Sequence, residues 1–123
     1  MLVDQVEPID LDGEPDFHVV LQDGRELTIE CKNALRETYK DGDAKVEVQK
    51  TRDSGAGRKY RFDAFDIVAA CMFSVTGRWH FKFKWTRQLT PWSKDRERIA
   101  AIQRIDDTWA DSLDNLIETS APT

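Results

Sequence analysis

At 123 residues the chain is long enough for one domain with one hydrophobic core, and 40% hydrophobic against 33% charged residues suits a globular fold. No apolar run approaches the length of about 18 residues that a membrane helix needs, and no basic-then-apolar leader opens the chain, so no membrane association is expected and the cytoplasm is the expected compartment. The net charge of −5 argues at first sight against nucleic acid, but residues 1–31 carry nine acids and one base, residues 45–61 six bases and two acids, and residues 78–98 seven bases and two acids. An acidic, metal-binding edge beside basic segments is what a metal-dependent phosphodiesterase needs, although charge segregation of this kind is also common on ordinary surfaces.

Residues 1–13 predict a short edge strand or extended arm, punctuated by Pro8 and Gly13. A β-hairpin follows over 14–32. Phe17, Val19 and Leu21 alternate with Asp16, His18 and Val20, and on the return Leu27, Ile29 and Cys31 alternate with Glu26, Thr28, Glu30 and Lys32. A two-residue turn at Asp23-Gly24 would pair Phe17 with Glu30 and mix the faces, which a register-specified sheet avoids. A three-residue loop, Gln22-Asp23-Gly24, with Gly24 in the left-handed conformation of a bulge, puts Phe17 opposite Ile29, Val19 opposite Leu27 and Asp16 opposite Glu30. One face is then aliphatic, and the other carries Asp16, Glu30 and Lys32 together. Two carboxylates and one ammonium on one face can hold a divalent metal beside a phosphate, while a solvated polar face is the plainer alternative. A tripeptide of the form Asp/Glu-x-Lys arises by chance about once in a chain this long. A second one, Asp43-Ala44-Lys45, follows Gly42, lacks an upstream acid on a paired strand, and reads as a turn entering a strand.

Asn33 to Tyr39 predicts a helical turn or loop, and Lys45 to Lys50 a third strand with Val46 and Val48 on one side. The segment from Thr51 to Tyr60 is a glycine-containing basic loop suited to backbone phosphates, without the GxxxxGK[ST] pattern of a phosphate-cradling loop. Arg61 to Phe73 reads as a buried helix on Phe65, Val68, Ala69 and Met72, with Asp63 as cap, Asp66 as first-turn acid and Thr76-Gly77 as its close. Trp79, Phe81, Phe83 and Trp85 alternate with His80, Lys82 and Lys84, which predicts a strand packing its aromatic side on the core. The same interleaving of aromatics and bases is a pattern for base stacking, but the alternation favours packing. After Thr90-Pro91-Trp92-Ser93, the spacing of Ile99, Ile102, Ile105, Trp109, Leu113 and Leu116 predicts a long helix over about 93–118. That helix would be basic at its start and acidic at its end, against its macrodipole. Cys31 and Cys71 sit in apolar surroundings and form no Cys/His cluster, so buried free thiols are expected.

The order of hairpin with acid and Glu-x-Lys, strand, helix and aromatic strand resembles the PD-(D/E)xK nuclease superfamily. The residues that carry it are Pro15-Asp16, Glu30-Cys31-Lys32, the stretch from Phe62 to Cys71 and the strand from Trp79 to Phe83, so it covers roughly residues 14–86. The chain departs from that pattern in leaving little room for a helix before the first strand. The resemblance implies an α/β, restriction-endonuclease-like domain: a mixed central β-sheet flanked by helices, with a core at about 14–90 and the long C-terminal helix, whole or as part of a larger multidomain protein. It implies Mg²⁺-dependent DNA endonuclease activity in a restriction, defence or repair system, with Mn²⁺ as the other fitting ion. Asp16, Glu30 and the main-chain carbonyl of Cys31 would ligate the metal, and Lys32 would hold and polarise the attacking water. Gln49 and Lys50 would extend the site on the neighbouring strand, and Arg52, Arg58 and Lys59 would bind phosphates. Dimerisation through the C-terminal helix would suit a double-strand cut. The alternatives from the same residues are a non-catalytic nucleic-acid-binding module on that fold, or an acidic protein that binds a partner through the C-terminal apolar stripe.

Overall fold

The fold was analysed from a computed structural model, which describes residues 2–11, 14–49 and 60–119. Five strands form the main sheet: β1 (Val3–Pro8), β2 (Phe17–Leu21), β3 (Glu26–Asn33), β5 (Ile67–Cys71) and β6 (Phe81–Trp85), in the order β1-β2-β3-β5-β6. Neighbours are antiparallel except β3 and β5, which run parallel. A parallel pair demands a crossover, and here it holds β4 (Ala44–Glu47), which leaves the main sheet to pair with β9 (Ile102–Ile105). A second small ribbon joins β7 (Pro91–Trp92) to β8 (Asp95–Ile99). The α-helices among the described residues are α1 (Phe73–Thr76) and α2 (Leu113–Thr119).

The helix-flanked α/β architecture is therefore wrong: the domain is predominantly β, and among the described residues no long helix lies on either face of the sheet. Two stretches account for the difference. Ile67 to Cys71 is buried at every position because β5 is the inner strand between β3 and β6 with both faces covered. Such a strand reads as a continuous apolar run, and five residues of it cannot be told from a turn of buried helix by periodicity. Asp63 caps no helix and Asp66 opens no first turn; the Asp66 carboxylate accepts the Thr28 N–H at 2.8 Å and fastens the start of β5 to β3. The expected helix over 93–118 is instead β8, β9 and, after a turn at 106–112, the seven-residue α2. Ile99 and Ile105 are buried from two different strands, β8 paired with β7 and β9 paired with β4, and three- and four-residue spacing across the link between them mimics a helical stripe. The charge order that opposed a macrodipole needs no explanation once the basic part is strand.

The hairpin has the predicted register. Phe17 pairs with Ile29 and Val19 with Leu27, Leu21 N–H donates to Arg25 C=O, and Gly24 has φ of +92°. A Cβ built on Gly24 would meet nothing within 4 Å, so replacing it by alanine tests backbone conformation alone. Gly24→Ala is expected to cost about 1 kcal/mol in urea unfolding, the penalty of holding an L-residue left-handed. No loss of stability would mean that the loop relaxes to another turn.

Hydrophobic residues gather on both faces of the sheet. On one, Val68 and Ala70 meet Val46 and Val48, Ile99, Ile105 and Trp109. On the other, Val19, Ile29, Ile67 and Trp85 are covered by Leu116 and Ile117 of α2. The Lys side of β6 is also occupied. Lys82 is ion-paired with Asp111, and Lys84 donates to Thr108 Oγ1 at 2.8 Å with its ammonium 5.8 Å from the centre of the Trp109 ring. Among the described residues no helix is long and apolar enough to cross a membrane.

Candidate functional site at the open end of the hairpin

The strand β3 outruns β2. Phe17, the first residue of β2, is opposite Ile29, so Glu30, Cys31 and Lys32 extend beyond the antiparallel ladder while still pairing with Val68, Ala69 and Ala70 of β5. The Cys31 N–H, which has no β2 carbonyl to meet, donates to Asp16 Oδ2 at 2.8 Å. The Asp16 side chain thus takes the place of a strand, and this single bond brings it to Glu30. In extended backbone the N–H and C=O of one residue leave on the same side, so the Cys31 carbonyl points toward Asp16 as well.

Glu30 is buried, 6% exposed, on the face lined by Val68. Its Oε2 accepts the Tyr60 hydroxyl at 3.3 Å and lies 3.6 Å from Lys32 Nζ. Burial foremost, and then the Asp16 carboxylate beside it, raise the Glu30 carboxyl above its ordinary value, while Lys32 and Tyr60 pull it back. Burial and the charges of Glu30 and Asp16 likewise raise the Tyr60 hydroxyl, so that residue is a donor. The Cys31 thiol is pushed up to about 11, first by burial and then by the Asp16 and Glu30 carboxylates, which disfavours the thiolate. Cys31 and Cys71 are both free.

A folded-state carboxyl with a raised value holds its proton more tightly than the unfolded chain does. Stability is therefore full below the ordinary value of 4.5 and falls as pH rises from there through the folded-state value of Glu30. Glu30→Gln is expected to gain stability over the parent at pH 8 and not at pH 4, measured as urea midpoints in EDTA. An equal difference at both pH values would show that Glu30 ionises without penalty.

The arrangement fits a hard divalent cation. Two carboxylates in mutual contact cannot both ionise comfortably without a positive charge between them, and among the described residues Lys32 supplies one from 3.6 Å on one side. A cavity of about 30 Å³ lies against Glu30, lined also by Glu14, Pro15, Tyr60, Ala64 and Phe65, which is room for one water-sized species. Among the described residues no cluster of three or more His, Cys, Asp or Glu side chains could hold a metal ion. The donor set for such an ion would be two carboxylates and the Cys31 carbonyl, and Mg²⁺ in particular is often held by one or two carboxylates with waters and substrate oxygens completing its shell.

Asp16, Glu30, Cys31 and Lys32 are thus brought together. Gln49 follows β4, which belongs to the small sheet, and its Oε1 is buried with no hydrogen-bond partner among the described residues. Lys50, Arg52, Arg58 and Lys59 lie outside the described residues. The second tripeptide is satisfied structurally, with Asp43 paired to Arg104 at 3.0 Å and Lys45 5.1 Å from the Tyr39 ring centre. Tyr60 was the residue that sequence reading left without a role. It lies 30 positions from Glu30 and bonds it only through the tertiary fold.

Comparison of the chain with protein-family models, with curated proteins and with solved structures gave no match. Nothing in those comparisons identifies a PD-(D/E)xK nuclease.

Proposed function

We propose that the chain is a Mg²⁺-dependent phosphodiesterase acting on nucleic acid, with Asp16, Glu30 and Lys32 as its reactive group. The observation that supports this is the meeting of a buried carboxylate with raised proton affinity, a second carboxylate and an ammonium at the open end of one hairpin. Asp16 and Glu30 would hold the cation, with the Cys31 carbonyl as third oxygen, and a bound Mg²⁺ would supply charge neutralisation for a phosphodiester and activation of water. The Lys32 ammonium orients the attacking water and offsets charge gathering on the non-bridging oxygens. The Tyr60 hydroxyl fixes the Glu30 carboxylate by its bond to Oε2, so that the ligand is preorganised rather than recruited. Sheet strands place Glu30 and Lys32, which favours precision over a site built on loops.

The test is cleavage of plasmid and of labelled DNA and RNA strands with Mg²⁺, against EDTA. Metal-dependent cutting that disappears in Asp16→Ala and in Lys32→Ala is the expected result. Cutting that persists in both variants, or none in the parent protein, overturns the proposal. A purely binding role through the Lys-bearing strand is less well supported, because Lys82 and Lys84 are already engaged by Asp111 and Thr108.

A further inference from the structure

The alternation of Trp79, Phe81, Phe83 and Trp85 leads to two different environments. Trp85 is 2% exposed, whereas Trp79 is 77% exposed. Trp79 precedes β6 and sits across the end of α1, where Gly77 turns the chain at φ of 73° and its N–H closes on Phe73 C=O at 2.9 Å. The turn stacks the Trp79 indole on the Phe73 ring, with centroids 4.4 Å apart and planes 24° from parallel. One indole face is therefore held by Phe73 and the other is open to solvent. An exposed aromatic of this size, rigidly presented, marks a contact surface more often than a packing position.

Its surroundings say what would lie there. A groove of about 310 Å³ runs from Trp79 past Phe81 and Asn33 to Cys31 and Lys32. Lys32 lines this groove near the end of β3 and also lies 3.6 Å from Glu30, which sits on the opposite face of the strand from Cys31 and Phe81, so Lys32 is the residue that the groove and the carboxylate pair share. Arg78, next to the indole, is exposed and has no ion pair among the described residues. An open π-face, a cation at its side and an ammonium further along the groove are the parts of a single-strand binding surface: bases stack and phosphates pair. In a duplex the base faces are already covered by their neighbours, so only an unpaired nucleotide can take the indole.

We propose that Trp79 is a stacking platform for an unpaired nucleobase, and that the groove leads the same strand's phosphate to Lys32. This rests on the hydrolytic reading for its direction and makes the substrate a single-stranded or frayed nucleic acid. Deoxy- and ribo-strands share the chemistry, and the experiment separates them.

The measurement is fluorescence anisotropy in EDTA at low salt, with labelled dT and rU strands of about 12 nucleotides, within the span of one binding groove, and a blunt duplex. Single strands are expected to bind more tightly than the duplex. Trp79→Ala should weaken them about 10-fold, and Trp79→Phe should recover most of the loss, since stacking onto one base is worth roughly 1–3 kcal/mol. Intrinsic tryptophan fluorescence should be quenched by the strand more strongly in the parent than in Trp79→Phe, because Trp85 and Trp109 are buried and Trp92 is half-buried. The preference between dT and rU assigns the sugar. Unchanged affinity of Trp79→Ala for single strands, or no binding by the parent, overturns the proposal. Strand binding through Trp79 without any Mg²⁺-dependent cutting would leave the platform standing and remove the hydrolytic reading. Cutting with normal strand binding by Trp79→Ala would do the reverse.

Discussion

Glu30→Gln is expected to lower Mg²⁺-dependent cleavage at least about a hundred-fold, the loss typical of removing one preorganised electrostatic contact to the reacting group. The amide keeps the size of the carboxylate and its oxygen can still accept the Tyr60 hydroxyl, so the local fold has no reason to change. What it loses is the charge. Asp16 then stands as the lone carboxylate, and Lys32 has no partner at 3.6 Å. Activity and stability should move in opposite directions, because the same buried charge that would hold a cation raises the proton affinity of Glu30 and weakens the fold at neutral pH. Thermal unfolding gives a second readout. Mg²⁺ should raise the melting temperature of the parent by ligand linkage, about 2.7 kcal/mol at a hundred times Kd, and should leave Glu30→Gln unmoved. An inactive variant that is also destabilised at pH 8 would instead mean that Glu30 is a structural residue. Loss of activity would then carry no information about metal binding.

The parts of the molecule legible in the sequence are those whose determinants are local. Register in the hairpin follows from face parity over 16 residues and from one glycine, and the positive φ of Gly24 is the conformation that the parity argument requires. Asp16 lies just outside that ladder, and its carboxylate reaches Glu30's neighbourhood by accepting the Cys31 N–H. Burial of β5 was equally legible, but its conformation was not, because Ile67 to Cys71 is apolar on both faces and carries no period at all. Thr76-Gly77 does end a helix, with Gly77 left-handed, yet that helix begins at Phe73 and spans one turn. The contacts that complete the site are long-range. Tyr60 reaches Glu30 across the crossover, and Trp79 departs from its own alternation because the chain turns at Gly77 before β6 begins. Neither contact leaves a trace in spacing. In the C-terminal third, Gln103 shows how a polar residue inside an apparent helical stripe belongs elsewhere. It is 3% exposed, and its amide pairs with the Thr90 N–H at 2.9 Å and with the carbonyls of Thr90 and Ala100 at 3.0 and 2.8 Å. A buried amide satisfied by backbone groups of the β7 end and the β8–β9 turn stabilises that ribbon packing, and no helix would have supplied those partners.

Trp109→Ala should be the most destabilising single substitution outside the hairpin. Trp109 is 3% exposed and packs with Val68, Ala70 and Ile105, its indole N–H donates to Arg104 C=O at 3.0 Å, and Lys84 lies over its ring. Next to it, Ala110 bridges to Phe83 of β6, with hydrogen bonds in both directions at 2.8 and 2.9 Å. Trp109 therefore wedges the 106–110 turn against the main sheet. Removing a buried indole costs about 3–5 kcal/mol, a large part of the roughly 5–15 kcal/mol that holds a domain together. That corresponds to a fall in melting temperature of about 15 °C for a chain of this size. Trp109→Phe separates the contributions. It keeps most of the apolar volume and leaves the Arg104 carbonyl without its donor, so about 1–3 kcal/mol should be lost. The same pair of variants discriminates the β-ribbon from a helix over 93–118. On a helix, alanine has the higher propensity and the Arg104 carbonyl would keep its backbone partner, so Trp109→Phe would show no hydrogen-bond deficit. Far-UV circular dichroism of the parent should be dominated by strand, with the helical signal limited to α1 and α2. A loss below about 1 kcal/mol in Trp109→Ala would mean that the turn does not rest on the sheet, since no buried indole can be removed from a close-packed face at so small a cost.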